Sequence, residues 1–277
     1  MISNNQKPVN SGFEAKSEPH QILDGIELNN KTAIVTGGYS GIGLETTRAL
    51  TKAGVRVITP VRRPDIASKA LNGIVPASDI IEMDLGDLSS VQKFVDDFND
   101  LDLSLDLLIN NAGIMACPEG RVGNGWERQF GVNQIGHFLL TKGLMDSMKD
   151  VEGARFVSLS SSAHSLTGIL WDDIHFENSA YDKWIAYGQS KTASSLIAIE
   201  FDRIMKDSGV RGYSVHPGGI VTPLQRHLER EEMVALGWMK EDGSLSDMAA
   251  AAFKTPAQGA TTTLWAATNP MLKDIGG

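Results

Sequence analysis

A tyrosine and a lysine stand four positions apart in the second half of the chain, in the segment Tyr187-Gly-Gln-Ser-Lys191. On a helix this spacing puts both side chains on one face, so a phenol and an ammonium group can act on one site. A free tyrosine has a pKa of about 10 and is a poor base near neutral pH. We expect the lysine charge to favour the phenolate and to lower that pKa, which makes proton transfer feasible. The spacing alone is also typical of a solvated helix face.

A glycine-rich segment near the start of the chain has the features of an anion-binding turn. The β-branched run Lys31–Val35 is followed by Thr36-Gly-Gly-Tyr-Ser-Gly-Ile-Gly43 and then by apolar residues at helical spacing. Free N–H groups and the positive end of a helix dipole then point at whatever lies over the turn. Gly37 permits the tight turn, Gly41 lets the backbone approach a pyrophosphate, and Gly43 lets helix and strand pack closely. The alternative is a glycine-rich turn with no ligand.

Strands alternate with helices along the rest of the chain, which predicts an α/β fold. We expect a single Rossmann-type, doubly wound parallel sheet with helices on both faces. Ligands of such sheets bind at the C-terminal ends of the strands, where the polar and glycine clusters of this sequence fall. The predicted strands are about 32–36, 55–60, 79–84, 105–109, 154–159 and 211–215, and the predicted helices are about 42–53, 65–72, a helix capped by Asp87, 125–149, 181–207 and 256–268, with short helices in a variable loop over about 222–253.

Composition excludes several classes of protein. The net charge of −9, from 25 Lys and Arg against 34 Asp and Glu, argues against nucleic acid or an anionic membrane as the main partner. The single cysteine, Cys117, excludes internal disulfides and suits a cytoplasmic protein. No apolar run approaches the roughly 18 residues of a transmembrane helix, and no His, Cys or acid cluster has metal-ligand spacing. Residues 1–30 are polar and predict a flexible N-terminal arm, of which Ile22 to Leu28 could pack on the body.

The motifs occur in one order at compatible distances: TGxxxGIG, an acid after the third strand, NNAG, Asn133, a serine cluster, YxxxK and PG-G. In this combination residues 30–223 resemble the short-chain dehydrogenase/reductase family of NAD(P)-dependent oxidoreductases. The resemblance implies one dinucleotide-binding catalytic domain over residues 31–277, with a substrate-loop region at about 222–253. Three segments are similar to the retinol-dehydrogenase-like branch, namely Phe130–Leu140, Ser160–His164 and Tyr181–Lys191.

The resemblance implies a catalytic role for each of four residues. Tyr187 would be the acid/base that protonates a carbonyl oxygen or deprotonates an alcohol, and Lys191 would hold the nicotinamide ribose and tune Tyr187. Ser161 would orient the substrate oxygen, although its neighbour Ser160 is easily confused with it. Asn133 would interrupt the hydrogen bonding of its helix and anchor a water next to Lys191, completing a proton relay.

The resemblance also implies a set of cofactor contacts. The Asp84 carboxylate would accept from the adenine amino group beside the Leu85 backbone, and Thr222 would bind the carboxamide. The alternatives are a strand-end cap for Asp84 and a helix cap for Thr222. The full implied set is Gly37, Tyr39, Ser40, Gly41, Ile42, Gly43, Arg62, Asp84, Leu85, Asn111, Ala112, Gly113, Tyr187, Lys191, Pro217, Gly218, Ile220 and Thr222.

The end of the second strand predicts which dinucleotide is preferred. An NAD enzyme usually offers an acid there to the ribose 2′-hydroxyl, whereas an NADP enzyme offers arginine to the 2′-phosphate. Here the position holds Arg62, flanked by Arg63, and arginine's fork matches phosphate oxygens. The sequence therefore favours NADP(H) over NAD(H), although Tyr39 and Ser40 add no basic group from the glycine turn. The alternative is a solvated arginine pair.

The function predicted from these motifs is an oxidoreductase that interconverts a carbonyl and an alcohol. Its substrate would be a small, apolar molecule. One alternative is a catalytically inactive dinucleotide-binding sensor or scaffold, and another is an epimerase or dehydratase acting on a sugar nucleotide. The insertion Trp171–Phe176 would form a wall of the substrate pocket or, alternatively, a packed surface loop. Candidate pocket residues are Met115, Ala116, Leu166, Leu170, Trp171, Leu224, Leu228 and Trp238.

Two further expectations concern association and the end of the chain. Apolar residues on the two long predicted helices exceed what one buried face requires, so we expect a homodimer or homotetramer. These residues are Phe130, Phe138, Leu144, Ile197 and Phe201. Members of the resembled family usually continue into a last sheet strand and tail, which would lie beyond Gly277.

Overall fold

Six parallel strands form the central sheet of the protein. The computed structural model describes residues 9–277, so the first eight residues of the predicted arm lie outside the described part. The strands are β1 Thr32–Val35, β2 Arg56–Val61, β3 Ile80–Glu82, β4 Leu107–Asn110, β7 Arg155–Leu159 and β8 Arg211–Val215, and a separate hairpin pairs β5 Arg121–Val122 with β6 Trp126–Glu127. The sheet order is β3-β2-β1-β4-β7-β8, so the chain reverses its direction of winding between β1 and β4. Open α/β sheets bind their ligands at this reversal.

Strand β1 shows why the sheet is covered on both faces. Ala33, Ile34 and Val35 are all fully buried, although successive side chains of a strand point to opposite faces. Ala33 and Val35 belong to one apolar core, and Ile34 belongs to the other. Strands that bury both faces require helices on both sides, which confirms the predicted doubly wound architecture.

Two groups of helices supply those covers. Leu50 of α2 and Leu264 of α10 pack with Ala33, while Phe94 of α4 and Phe201 of α7 pack with Ile34. Phe201 lies against Phe156 of β7 with ring centroids 4.6 Å apart. The helices are α1 Pro19–Leu23, α2 Gly41–Lys52, α3 Pro64–Ala70, α4 Leu88–Asn99, α5 Arg128–Phe130, α6 Gly136–Met148, α7 Lys183–Met205, α8 Arg230–Ala235, α9 Asp247–Ala252 and α10 Pro256–Thr268.

The helix predicted over about 125–149 is wrong at its start. The β5–β6 hairpin occupies its first residues because Gly123 and Gly125 adopt positive φ angles of 53° and 92°, which a helix does not use. The buried carboxylate of Glu127 then accepts from the backbone N–H groups of Gln129 and Phe130 and so begins α5. A π-helical segment, Gly131–Ile135, separates α5 from α6. The predicted Asp87 cap is confirmed, since its carboxylate accepts from the Ser89 N–H at 2.9 Å.

The described part of the N-terminal segment packs on α10. Helix α1 buries Ile22, and Leu28 is buried in the same core. The Glu18 carboxylate accepts from Nε2 of Gln258 at 2.9 Å, which joins the segment to the first turn of α10.

Candidate active site

A cleft of about 960 Å³ opens at the C-terminal ends of the sheet strands. Every residue of the implied cofactor set lines it. Of the four predicted catalytic residues, Ser161, Tyr187 and Lys191 line it, whereas Asn133 is buried and does not. The topology therefore brings residues from six separate strand ends into one cavity.

The glycine turn leaves room where side chains would intrude. Gly37 and Gly41 have φ angles of +65° and +52°, which disfavour any residue with a Cβ. A Cβ on Gly41 would lie 3.3 Å from the Cβ of Thr222 across the cleft, and one on Gly43 would lie 2.3 Å from the Gly37 carbonyl oxygen. Helix α2 begins at Gly41, so its first N–H groups have no acceptor within the helix. This open, N–H-lined turn fits the pyrophosphate of a dinucleotide.

The hydroxyl of Thr36 joins the glycine turn to the loop after β4, a role that sequence reasoning missed. Its Oγ1 accepts from the backbone N–H groups of Asn111 and Ala112, both at 2.9 Å. The Asn111 amide in turn donates to the Thr36 carbonyl at 2.9 Å. The only signal in the sequence is the position of Thr36 immediately before the first glycine.

The environment of Tyr187 corrects the expectation of a lowered pKa. Burial raises the pKa of Tyr187 to about 12, because a phenolate is disfavoured away from water, and a hydrogen bond with Ser161 opposes this rise only in part. Burial also lowers the pKa of Lys191 to about 8, so this lysine is still mostly protonated at neutral pH, but its charge does not offset the desolvation of the phenol. Tyr187 is therefore a neutral phenol at neutral pH and is suited to donating a proton.

Lys191 lies beside the tyrosine and is held in place by the sheet. Its Nζ is 5.7 Å from the centroid of the Tyr187 ring and donates to the Leu159 carbonyl at 2.8 Å. Only 6% of the residue is exposed. Because an ammonium group has three hydrogens, two remain for other partners in the cleft.

The structure distinguishes the two serines that end β7. Ser160 is buried, and its hydroxyl donates to the Lys191 carbonyl at 2.8 Å. The Ser161 hydroxyl accepts from the Ala163 N–H at 3.2 Å, so its own hydrogen is free to be donated towards Tyr187 or a ligand. Ser161 is therefore the one placed to orient an oxygen next to Tyr187.

Asn133 lies in the π-helical segment, where the helical hydrogen bonding is interrupted as the resemblance implied. Its side-chain amide bonds both backbone groups of Ile114, each at 2.9 Å, and donates to the Ser190 hydroxyl at 2.9 Å. Its backbone carbonyl accepts from Nδ1 of His137 at 2.9 Å. The side chain thus joins the loop after β4 to the helix that carries Tyr187 and Lys191.

His137 was also missed by sequence reasoning, although it follows Asn133 by four positions on the same helix. Its Nε2 lies 2.9 Å from the Thr36 hydroxyl. Because Thr36 already accepts from two N–H groups, we assign its hydroxyl hydrogen to Nε2 and the imidazole hydrogen to Nδ1. Burial lowers the pKa of His137 to about 4, which keeps this imidazole neutral.

The part of the cleft next to the ends of β2 and β3 carries two arginines. Arg62 and Arg63 are exposed, and within residues 9–277 their guanidinium groups form no hydrogen bond or ion pair with a side chain. One oxygen of Asp84 accepts from the Gly86 N–H at 2.8 Å, which corresponds to the strand-end cap considered above. The Thr222 hydroxyl likewise caps a short turn by accepting from the Leu224 N–H at 3.2 Å. Both capping residues still face the cleft.

Apolar side chains cover the opposite end of the cleft. Met115, Ala116, Leu228 and Tyr187 form a buried cluster. Residues packed against this cluster come from the serine turn, from α7 and from the segment 222–253, and they are Ala163, Trp184, Leu224, Met233 and Trp238. Of the predicted pocket residues, Met115, Leu166, Leu224 and Trp238 line the cleft.

The prediction that Leu170 and Trp171 line the pocket is wrong. Neither faces the cleft, and Trp171 is 76% exposed. The insertion instead packs on the β5–β6 hairpin, where the Arg121 guanidinium donates to the carbonyls of His175 and Phe176. The insertion is therefore a packed surface loop, which was the alternative to a wall of the substrate pocket.

Comparison with known proteins identifies the family. The family profile described as short chain dehydrogenase matches residues 31–233. A "Probable oxidoreductase" of Streptomyces antibioticus is 40% identical over 261 residues, covering 91% of this chain and 85% of that protein. "Retinol dehydrogenase 11" of Mus musculus is 36% identical over 257 residues, covering 91% of this chain and 78% of that protein.

A solved structure shares the fold. The short chain dehydrogenase from Burkholderia cenocepacia in complex with NADP superposes with a TM-score of 0.66 at 21% identity, covering 90% of this chain and 95% of that one. The matching family profile and the relatives confirm the resemblance drawn from the motifs. The chain belongs to the short-chain dehydrogenase/reductase family and is an oxidoreductase with a nicotinamide-dinucleotide fold.

Proposed function

We propose that this protein interconverts a carbonyl and an alcohol on a small apolar molecule, using NADP(H). The observation that carries the proposal is that Ser161, Tyr187 and the buried Lys191 line the same cleft, with Nζ of Lys191 5.7 Å from the centroid of the Tyr187 ring. A phenol in this setting can give a proton to a carbonyl oxygen during reduction and can take it back during oxidation. The apolar cluster around Met115 and Trp238 supports an apolar substrate.

The dinucleotide supplies or accepts the hydride when it is bound. For the chain itself, we propose that Ser161 donates a hydrogen bond to the substrate oxygen, since its hydroxyl lines the cleft and accepts from the Ala163 N–H, which leaves its hydrogen to be donated. Tyr187 transfers the proton to or from that oxygen. Lys191 uses its two remaining hydrogens for the ribose hydroxyls, and Asn133 anchors a water next to Lys191.

We assign the remaining cofactor contacts along the cleft in the order of the strands. The N–H groups from Ser40 to Gly43 would hold the pyrophosphate, and Asp84 would accept from the adenine amino group with the oxygen that Gly86 does not use. Thr222 would face the carboxamide from its position opposite Gly41.

Arg62 supports a preference for NADP(H). Its guanidinium lines the cleft and has no acidic partner within the described residues, so it can meet a 2′-phosphate without first breaking an ion pair. A charge-assisted hydrogen bond of this kind favours NADPH over NADH by roughly 10- to 150-fold. High salt should narrow the preference, because the contact is exposed and therefore screened.

Turnover of NADPH at 340 nm with a panel of apolar aldehydes and ketones tests the reaction. We expect Arg62→Asp to reverse the ratio of kcat/KM for NADPH and NADH, since a carboxylate repels the phosphate but accepts from the NADH ribose hydroxyl. The matched control is Arg63→Asp, which makes the same charge change at the adjacent exposed position and should alter the ratio by less. No turnover across the panel with either cofactor would reject the proposed reaction, and equal use of both by the wild type would reject the cofactor preference.

We also propose a homodimer or homotetramer. The prediction that Leu144 and Phe201 lie in the interface is wrong, because both are buried in the core of one subunit. The proposal is supported instead by exposed apolar side chains on α6 and α7, namely Phe138 at 53%, Leu196 at 47% and Ile204 at 49% exposure. Light scattering at micromolar concentration should give a multiple of the 29.9 kDa chain mass.

The state of Cys117 is relevant to the cellular location of the protein. None of the described helices is long and apolar enough to cross a membrane. We propose a cytoplasmic location because Cys117, the one cysteine of the chain, is buried as a free thiol, and burial raises its pKa. Fractionation of cells that make the protein would test this location.

A further inference from the structure

One carboxylate joins the segment over the cleft to the helix that carries Tyr187. Glu232 lies in α8, and its Oε1 accepts from the indole Nε1 of Trp184 at 3.0 Å. Its Oε2 accepts from Nζ of Lys183 at 2.5 Å. Both oxygens of a single side chain are thus bound by two consecutive residues.

Those two residues begin α7 and precede Tyr187 by four and three positions. Asp182 caps this end of the helix by accepting from the Trp184 and Ile185 N–H groups at 2.8 and 3.0 Å. The capped turn is a fixed base for the Glu232 contact, because its backbone is already held by hydrogen bonds. Glu232 therefore fixes α8 relative to the catalytic helix rather than relative to another loop.

The indole that Glu232 holds is part of the substrate end of the cleft. The Trp184 ring packs edge-on against the Tyr187 ring, with centroids 6.5 Å apart, and against Trp238, with centroids 6.3 Å apart. Trp238 packs in turn against Phe253 at 5.9 Å. Trp184, Trp238 and Phe253 all line the cleft, so this aromatic series forms one wall of it.

We propose that Glu232 is a positioning residue that sets the size of substrate the site accepts. By accepting from Trp184 and Lys183 at once, it orients the indole and holds α8, with Met233, against the apolar cluster around Met115. The substrate class that fits is an apolar carbonyl compound long enough to contact Trp184 and Trp238 beyond Tyr187. This inference rests on the proposed carbonyl–alcohol function of the same cleft.

Glu231, the acidic residue next to Glu232 in α8, can be compared with Glu232 because the two differ in exposure and contacts. Glu231 is exposed, and within residues 9–277 its carboxylate has no ion-pair or hydrogen-bond partner in a side chain. The side chains of Glu232 and Lys183 are only 24% and 32% exposed. Removing the Glu232 carboxylate would leave the half-buried indole N–H and the ammonium of Lys183 without their acceptor, which is costly for polar groups shielded from water.

Hydrogen exchange tests the contact without requiring a substrate. We expect amides between residues 229 and 239 to exchange at least about tenfold faster in Glu232→Ala than in the wild type, because α8 loses its attachment. Glu231→Ala is the matched control and should exchange like the wild type. Equal exchange in the two variants would overturn the proposal whether or not the protein turns over a carbonyl.

Steady-state kinetics with apolar aldehydes of increasing chain length tests the specificity role. In Glu232→Ala we expect KM for the longest aldehyde to rise at least about tenfold, KM for the shortest to change less than about twofold, and kcat to change little. Trp184→Phe keeps an aromatic wall but removes the N–H, so adding Glu232→Ala to it should have a smaller effect than in the wild type. The same fold-change in KM at every chain length would overturn the proposal. Absence of turnover in the wild type would reject the proposed function, while the exchange measurement would still decide on the contact.

Discussion

Lowering the pH should destabilise this fold through one buried imidazole, that of His137. The unfolded chain binds a proton at this residue below a pKa of about 6.5, whereas burial lowers the pKa in the folded state to about 4. Between these values the unfolded state holds the proton and the folded state does not. The stability that the neutral imidazole contributes is therefore complete above about pH 6.5 and is lost as the pH falls towards 4.

The structure gives both the size and the reason for the effect. A fall in pKa from 6.5 to about 4 corresponds to about 3 kcal/mol of unfolding free energy, of which about 2 kcal/mol is lost by pH 5. Burial is the main reason, and the nearby charge of Lys191 adds to it. The hydrogen bonds point the same way, because Nε2 accepts from Thr36 while both lone pairs of that hydroxyl are used by Asn111 and Ala112. A protonated imidazole would turn a second hydrogen onto an oxygen that has no lone pair free for it.

Urea unfolding of wild type and His137→Gln between pH 8 and pH 5 measures this contribution. Glutamine offers an amide of similar reach that does not titrate. The unfolding free energy of the variant should therefore fall by about 2 kcal/mol less than that of the wild type between pH 8 and pH 5. Burial also lowers the pKa values of His175 and His216, but both are present in each protein and their contribution cancels. Parallel curves for the two proteins would refute the assignment of a neutral, Thr36-bonded imidazole.

Three further predictions concern the cleft. Lys191→Ala should weaken cofactor binding and lower kcat together, and unchanged cofactor affinity in this variant would contradict the role of Lys191 in binding the ribose as well as tuning Tyr187. In the wild type, the rate of carbonyl reduction should decline as the pH rises through about 8, where this buried lysine loses its proton. A rate that stays constant up to pH 10 would contradict the role of Lys191 in tuning Tyr187. Gly41→Ala should reduce cofactor affinity at least about tenfold, because the added Cβ meets Thr222. Gly209→Ala is its control, since φ is also positive there at +78° and no atom lies within 4 Å of the added Cβ. An equal loss of cofactor affinity in the two variants would show that backbone strain, and not the contact across the cleft, causes the loss.

The parts of the fold predicted from the sequence are those fixed by local patterns. The buried run Thr32–Val35, the glycine turn and the helix that begins at Gly41 each follow from the order of residue types. The position of Tyr187 and Lys191 at one site also follows, since the i, i+4 spacing holds on any helix. The hairpin at residues 121–127 did not follow, because its last residues, including the positive-φ Gly125, were predicted as the start of a helix.

The parts that escaped prediction depend on burial and on contacts distant in sequence. The direction of the Tyr187 pKa shift was predicted wrongly because desolvation of the phenol outweighs the neighbouring lysine, and no sequence pattern reports how deeply a side chain is buried. The bonds of His137 to Thr36 and of Glu232 to Trp184 join residues that are 101 and 48 positions apart. Trp171 was predicted in the pocket because its type suits an apolar wall, but the contacts of Arg121 hold the insertion elsewhere.

The most direct test of the proposed mechanism is single-turnover carbonyl reduction by Tyr187→Phe with bound NADPH. Phenylalanine keeps the ring of a side chain that is only 4% exposed and removes only the hydroxyl that donates the proton. We predict that the rate falls at least about 100-fold while the Kd for NADPH changes less than about twofold. Reduction at a near wild-type rate by the purified variant would contradict the assignment of Tyr187 as the acid.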